Sequence, residues 1–358
     1  MPKLRLGVIG AGSWTVASHL PNLARRAEVI PAAVCRVGLS QLEIVRRDWG
    51  FAIASEHYQD VIAAEPDIVV IASPSSFHFE HASAALRAGA HVMVEKPFTL
   101  RSADAWRLVE LAAQVDRHIV VAFGYNHRPV VQAAARLLAE HGVGHIESLL
   151  VTMCSGTRDL LLQRGAYPKA AAGMGPDPQT WTDPELSGGG YGQAQLSHAL
   201  AVALYLSGLR ADEVFALTYT PPDARVELDA ALTIRYEGGA IGAVNGASAH
   251  RGYLDERDQL HVRVVGDQGQ LDVDFDRDAV TLFRPDTGTH TADLEAGDGG
   301  YDCDGPPDLL VDLALGRERP NPTPGELGAR TVEILEAAYR SAASGRPIRT
   351  DALAEVHR

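Results

Sequence analysis

Over its first 123 residues the chain alternates short apolar runs with longer stretches in which apolar residues recur every three or four positions. The runs "LRLGVIG" (4–10), "EVIPAAVC" (28–35), "DIVVIAS" (67–73), "AHVMVE" (90–95) and "HIVVAFG" (118–124) have strand length and many β-branched residues. Between them the spacing predicts helices near 14–25, 40–48, 77–88 and 102–115. Strands that are apolar on both faces belong to a parallel sheet covered by helices on each side.

The rhythm then changes. After a helix over "RPVVQAAARLLAEHG" (128–142), strand patterns follow one another: "HIESLLVTM", "EVFALTYT", "VELDAALTIRYEGGAIGAVNGAS", "QLHVRVVGDQGQLDVDF" and "AVTLFRP". The turn signals "YEGGA" and "GDQGQ" place hairpins between them, which predicts an antiparallel sheet. "ELGARTVEILEAAYRSAASG" makes a final helix, and the Pro/Gly-rich stretch 156–190 reads as a long functional loop. The expected organisation is one α/β domain over 1–123 on a parallel sheet and a second over 124–358 on a mainly antiparallel sheet.

Composition narrows the partners. Asp plus Glu (46) exceed Lys plus Arg (32), for a net charge of -14, and such a field repels nucleic acid and anionic membranes. No apolar run approaches the roughly 20 residues of a membrane span, and glycines interrupt the one after the N-terminal basic residues. Cys35, Cys154 and Cys303 are far apart and lack metal-ligand spacing, so neither a disulfide framework nor a metal centre is expected, and a reducing cytoplasmic setting suits them.

The first chemical signal is "GVIGAGSWT", directly after the first strand. Gly10 would make the tight turn and Gly12 the close approach to a pyrophosphate, with Ser13 and Trp14 opening the helix behind them. Position 15, the third small position of such a fingerprint, is Thr15. At the end of the second strand, where an acid would bind a ribose 2′-hydroxyl, stands Arg36, with Ser40 close behind. That exchange favours a 2′-phosphate, so NADP is expected ahead of NAD, unless Arg36 merely lies against the adenine.

The stretch "DIVVIASPSSFHFEHASAALRAGAHVMVEKPFTL" (67–100), with the fingerprint and the antiparallel half, resembles the glucose-fructose oxidoreductase and inositol dehydrogenase family, Gfo/Idh/MocA. The resemblance covers nearly the whole chain. It implies a Rossmann dinucleotide-binding domain over 1–123, an α/β domain over 124–358 whose open, mainly antiparallel sheet serves substrate binding and oligomerisation, a bound nicotinamide cofactor, and redox chemistry on a sugar or cyclitol carbon. An open sheet needs cover, so a homo-oligomer is expected. Glu95, Lys96 and Pro97 match the family's Glu-Lys-Pro, whose lysine lies near the nicotinamide. Ser73, Pro74 and His78 resemble its Thr-Pro-Asn-x-x-His and would line the nicotinamide pocket, although His78 equally suits a helix cap. Independently of the resemblance, Lys96 follows a strand and so projects from the sheet edge where such folds bind ligands. An ammonium there helps bind and ionise a hydroxyl.

The helix after the glycines, "GGGYGQAQLSHALAVALYL" (188–206), carries His198 where the family keeps its histidine, but the aspartate four residues earlier is Ala194. Lys96 and His198 are the expected proton-transfer pair, with a buried core histidine as the alternative for the latter. Asn126, His127, Arg158, Trp181, Asp183 and Gln195 are the substrate-binding candidates, the triple glycine letting backbone approach a sugar. Asp183 also suits the start of the "DPE" turn, and Arg158 a surface ion pair. The function expected is hydride transfer between nicotinamide and a secondary alcohol or ketone of a sugar, glycoside or cyclitol. Two alternatives stand beside it: a redox-neutral glycosidase or lyase that uses the same cofactor, and a non-catalytic dinucleotide sensor.

Overall fold

The computed structural model describes residues 3–164, 177–250 and 258–353. Its first sheet has six parallel strands, β1 (Leu4–Ile9), β2 (Val29–Cys35), β3 (Ile53–Ser55), β4 (Ile68–Ile71), β5 (His91–Val94) and β6 (Ile119–Val121), in the order β3-β2-β1-β4-β5-β6. Strand order reverses between β1 and β4, so a crevice opens beyond their C-terminal ends. Five of these strands coincide with the apolar runs of the sequence. The sixth, β3, is three residues long with none fully buried, and it leaves no apolar signature.

The second sheet contains β7 (Ile146–Ser155), β8 (Ala211–Tyr219), β9 (Asp229–Tyr236), β10 (Ile241–Ser248), β11 (Gln259–Gly266), β12 (Gly269–Asp274), β13 (Ala279–Arg284), β14 (Gly288–Thr291) and β15 (Ile348–Arg349). Their order is β14-β13-β12-β11-β7-β10-β9-β8-β15, antiparallel throughout except where β10 runs parallel to β7. The exception arises because β7 lies between two hairpins, β9–β10 and β11–β12, and meets one of them head to tail. β14 and β15 escape sequence reading because one is polar and the other two residues long.

The Ser197–Ser207 helix is apolar all round and almost wholly buried, as a helix enclosed between layers must be. It packs on β7 and on the Gly325–Ser344 helix, which also lies along β8 and the Ser102–Val115 helix. A helix not read from the sequence, Gly305–Ala314, buries Leu309, Leu310 and Val311 against Val8, Val70, Met93 and Val120 of the first sheet. The chain therefore returns from the second sheet to cover the first. Among the described residues no helix is long and apolar enough to cross a membrane.

Asp312 fixes that returning helix. Its carboxylate, 8% exposed, accepts from Arg26 Nη2 and Arg317 Nη1 at 2.6 Å each and also from Arg319. Burial alone would raise its pKa, but the three guanidinium groups more than offset this and draw it down to about 2. The stabilisation is full above the unfolded-state value near 4 and disappears as pH falls through 2. Asp312→Asn is expected to cost about 2 kcal/mol at pH 7 in urea unfolding, a difference that shrinks towards zero between pH 4 and pH 2.

Candidate active site

The crevice deepens into a cleft of about 1190 Å³ between the two sheets. At one end Gly10 has φ +92°, and a Cβ there would lie 2.3 Å from the Ser73 nitrogen, so the turn admits only glycine. Gly12 has open space around the same construction and lines the cleft with Ser13 and Trp14. Thr15, buried where the fingerprint has its third small residue, donates to the Gly10 carbonyl at 2.9 Å and closes the loop. An open backbone cradle leading into a helix fits the pyrophosphate of a dinucleotide.

Arg36 lines the same end and donates to the carbonyls of Ala11 and Val37, each at 3.2 Å. Burial lowers its pKa. Ser40 is exposed and bonds Gln41 rather than the cleft. Glu56, beyond β3, also lines this end and accepts from the Gly38 nitrogen at 2.7 Å. With β3 invisible in the sequence, nothing there pointed to that carboxylate.

At the centre, the turns after β4 and β5 are tied together. The His78 ring spans the Ser73 carbonyl (2.8 Å) and the Pro97 carbonyl (2.9 Å), so it braces the cleft wall rather than capping a helix. Ser73, Pro74 and Pro97 line the wall beside it. Glu95 lines it too, but its Oε1 already accepts from Trp14 Nε1 (2.8 Å) and His19 Nε2 (2.7 Å), and its Oε2 from the Lys96 nitrogen (3.0 Å). Burial would lower the pKa of His19, yet Cys303 and Glu95 push it up to about 10, which makes His19–Glu95 a buried ion pair. His19 escaped sequence reading because a histidine inside a short helix carries no pattern of its own.

Lys96 Nζ donates to the Ala194 carbonyl at 2.8 Å and stands 5.4 Å from the centre of the Trp181 ring. Burial lowers its pKa, opposed by Glu95, Cys303 and Asp258. His198 is ringed edge-on by Phe123, Tyr125 and Tyr301 at 6.2, 5.7 and 5.2 Å, and its buried Nδ1 has no hydrogen-bond partner among the described residues. Burial, and then the charge of Lys96, hold its pKa well below the usual histidine value. Ala194 thus acts through its backbone: it sits in the π-helical turn Gly192–Leu196, a widened form of helix found often at functional sites.

The glycines before this turn serve packing. A Cβ at Gly189 would fall 2.2 Å from Tyr339 Oη, and one at Gly190 2.1 Å from the Glu227 carbonyl. The buried Glu227 carboxylate accepts from the nitrogens of Gly190 (2.9 Å) and Gly192 (3.0 Å) and from Tyr339 Oη (2.6 Å). The close approach expected towards a sugar is therefore made to Tyr339 and Glu227, although Gly189 does line the cleft.

Of the remaining candidates, Trp181 and Gln195 line the cleft, whereas Asn126, His127, Arg158 and Asp183 stand off its wall. Asn126 is fully buried, donating to the carbonyls of Ala201 and Pro322, and His127 meets Thr323 Oγ1 at 3.2 Å. Asp183 caps the Pro184–Ser187 turn through the Glu185 nitrogen. Tyr125, Gln193, Asp258 and Tyr301 line the cleft without having been singled out from the sequence.

A six-stranded dinucleotide-type sheet whose ligand crevice is closed by a large open sheet, with a lysine at the junction, defines a Rossmann-type class of fold with an attached open-sheet domain. The chain belongs to the Gfo/Idh/MocA oxidoreductase family: residues 4–123 match its NAD-binding Rossmann fold, and residues 131–272 match a GFO/IDH/MocA C-terminal domain. It is 31% identical over 209 residues to D-glucoside 3-dehydrogenase of Escherichia coli K12, covering 58% of this chain and 55% of that one. It is 26% identical over 272 residues to levoglucosan dehydrogenase of Pseudarthrobacter phenanthrenivorans, covering 73% and 64%. The chain thus spans between about half and two thirds of these relatives' own length. A solved levoglucosan dehydrogenase, in complex with NADH and L-sorbose, shares the fold at a TM-score of 0.77 and 20% identity, over 98% of this chain and 100% of that one.

The two fingerprint glycines should separate folding from binding. Gly10→Ala is expected to lower the melting temperature by several degrees, because its Cβ meets backbone at a positive φ. Gly12→Ala should melt with the wild type yet bind nicotinamide dinucleotide at least tenfold more weakly, read by nicotinamide fluorescence.

Proposed function

We propose that the protein is an NAD(P)-dependent oxidoreductase that transfers a hydride between nicotinamide and a secondary alcohol or ketone of a sugar, glycoside or cyclitol. The observation that carries this reading is the meeting of Lys96 and His198, from different layers, in the cleft that begins at Gly10 and Gly12. Gly10, Gly12, Ser13, Trp14, Arg36, Ser73, Pro74, His78 and Glu95 would hold the cofactor or brace its walls, and the cofactor supplies the hydride acceptor for alcohol oxidation. Lys96 Nζ binds the reacting hydroxyl and favours its ionised form. His198 is neutral near pH 7 and takes the hydroxyl proton. Trp181 offers an apolar face to the ring, and Gln195 a polar contact. Sugar relatives support the substrate class.

NADP is the favoured cofactor because Arg36, whose side chain bonds only carbonyl oxygens in the hydrogen bonds described above, can turn to a 2′-phosphate. A homo-oligomer is favoured because the face of the second sheet turned away from the helices exposes Leu150, Leu217, Tyr219, Ile241 and Phe283. A second copy would cover them.

Screening sugars, glycosides and cyclitols for stoichiometric change in nicotinamide absorbance tests the reading. Cofactor that binds but is never reduced or oxidised by any of them would replace it with the sensor, and product formed without net change with the redox-neutral enzyme. Lys96→Ala is expected to lower turnover by about 10² or more with cofactor binding nearly intact, checked by paired steady-state and fluorescence measurements. Arg36→Asp should invert a preference for NADP over NAD in competitive binding; equal wild-type affinities would remove Arg36 from cofactor choice.

A further inference from the structure

The acid absent at position 194 raises the question of which polar group stands in its place. In an α-helix that place, one turn before His198, belongs to residue 194 alone. Here the turn is π-helical, and the Ser197 nitrogen reaches the Gly192 carbonyl five residues back. A turn closed at five residues rather than four divides the place between positions 193 and 194. Ala194 brings a methyl group to it and Gln193 a primary amide, and both line the cleft together with His198.

Gln193 is 4% exposed, and its Oε1 is buried with no hydrogen-bond partner among the described residues. Its main chain, by contrast, is held on both sides. The nitrogen donates to Tyr339 Oη at 3.2 Å, and the carbonyl accepts from Ser197 Oγ at 2.8 Å. The fold also keeps room for the amide: a Cβ at Gly188 would fall 3.1 Å from Gln193 Nε2, and that residue, at φ +78°, is a glycine. An amide oxygen taken out of water without a partner weakens a fold, whereas an apolar side chain of the same shape does not. Folding therefore gains nothing from a glutamine here, and a ligand accounts for it.

We propose that Gln193 is a specificity-determining residue of this site, its amide binding a hydroxyl of the polyol other than the one that reacts. The proposal rests on the reading given under Proposed function for the class of ligand, while the position follows from the π-helical turn of this chain. The last torsion of a glutamine is soft, so the amide turns either its oxygen as acceptor or its nitrogen as donor towards the cleft. A hydroxyl can answer both. The next residue, Ala194, grips the Lys96 ammonium through its carbonyl, which sets the amide beside the reacting end.

The experiment uses the full chain loaded with reduced cofactor. D-glucose, methyl D-glucoside and myo-inositol are titrated into it calorimetrically, followed by the monodeoxy analogues of the tightest binder. Gln193→Met fills nearly the same space with no hydrogen-bonding group, and Gln193→Leu is run beside it. Both are expected to melt without ligand at or above the wild-type temperature, because an unmet buried amide has been removed. Both should bind the polyol at least tenfold more weakly, with the cofactor dissociation constant, read by nicotinamide fluorescence, within twofold of wild type. One monodeoxy analogue should bind the wild type at least tenfold more weakly than its parent, and the variants should no longer tell the two apart.

Variants that bind the polyol within twofold of wild type, or keep every analogue discrimination, overturn the proposal whether or not the sugar is oxidised. Melting several degrees lower with discrimination intact assigns the amide to packing, and tenfold weaker cofactor binding with discrimination intact assigns it to the nicotinamide; either overturns the proposal. A wild type that binds the sugar, shows the discrimination that the variants lose and never changes the cofactor upholds the binding role and overturns the oxidoreductase reading. A wild type that neither binds nor oxidises any of the three overturns both.

Discussion

The cleft depends on one hydrogen bond between layers, from the ammonium of Lys96 to the carbonyl of Ala194. The donor leaves the parallel sheet at the end of β5, and the acceptor lies in the π-helical turn that leads into the Ser197–Ser207 helix beneath the second sheet. Their meeting exists only while the layers are docked. Two devices hold the docking: the Gly305–Ala314 helix, which returns from the second region to cover the first sheet, and the Gly325–Ser344 helix, which touches both. Asp312, outside the cleft lining, ties the first of these helices to Arg26 of the first region.

Two buried histidines show how neighbours decide a proton. His19 and His198 are both enclosed, and burial alone would keep each neutral. His19 faces Glu95 and Cys303 and is held as a cation, whereas His198 faces Lys96 and aromatic edges and is held neutral. A single chain thus holds one imidazole as a fixed charge behind Lys96 and keeps the other neutral. Burial favours the neutral ring at both; the neighbours overturn it at His19 and reinforce it at His198.

Much of this was legible in the sequence because it rests on periodicity or on local backbone demand. The apolar runs marked β1, β2 and β4–β6, and the glycine fingerprint announced a turn that tolerates no side chain at Gly10. Lys96 could be placed because a residue just after a parallel strand has only one edge to project from. What could not be read depends on tertiary placement. Asn126, His127 and Asp183 look like binding residues in sequence, but the fold spends them on buried carbonyls, on Thr323 and on a turn. Conversely, Tyr125 and Asp258 lie 133 positions apart, and no spacing rule joins them. β3, β14 and β15 are too short or too polar for a pattern to form.

The Ala194 carbonyl has a consequence for how such a site can change over time. An anchor built from a side chain is lost when the codon changes, but a main-chain oxygen is supplied by any amino acid that keeps the same turn. The anchoring of Lys96 is therefore insulated from substitution at the position that grips it, provided the newcomer fits the space alanine leaves. That leaves position 194 open to small residues of differing polarity, each altering the environment of the neighbouring imidazole while the ammonium stays held. Inheritance can thus retune proton affinity at this centre without first dismantling it.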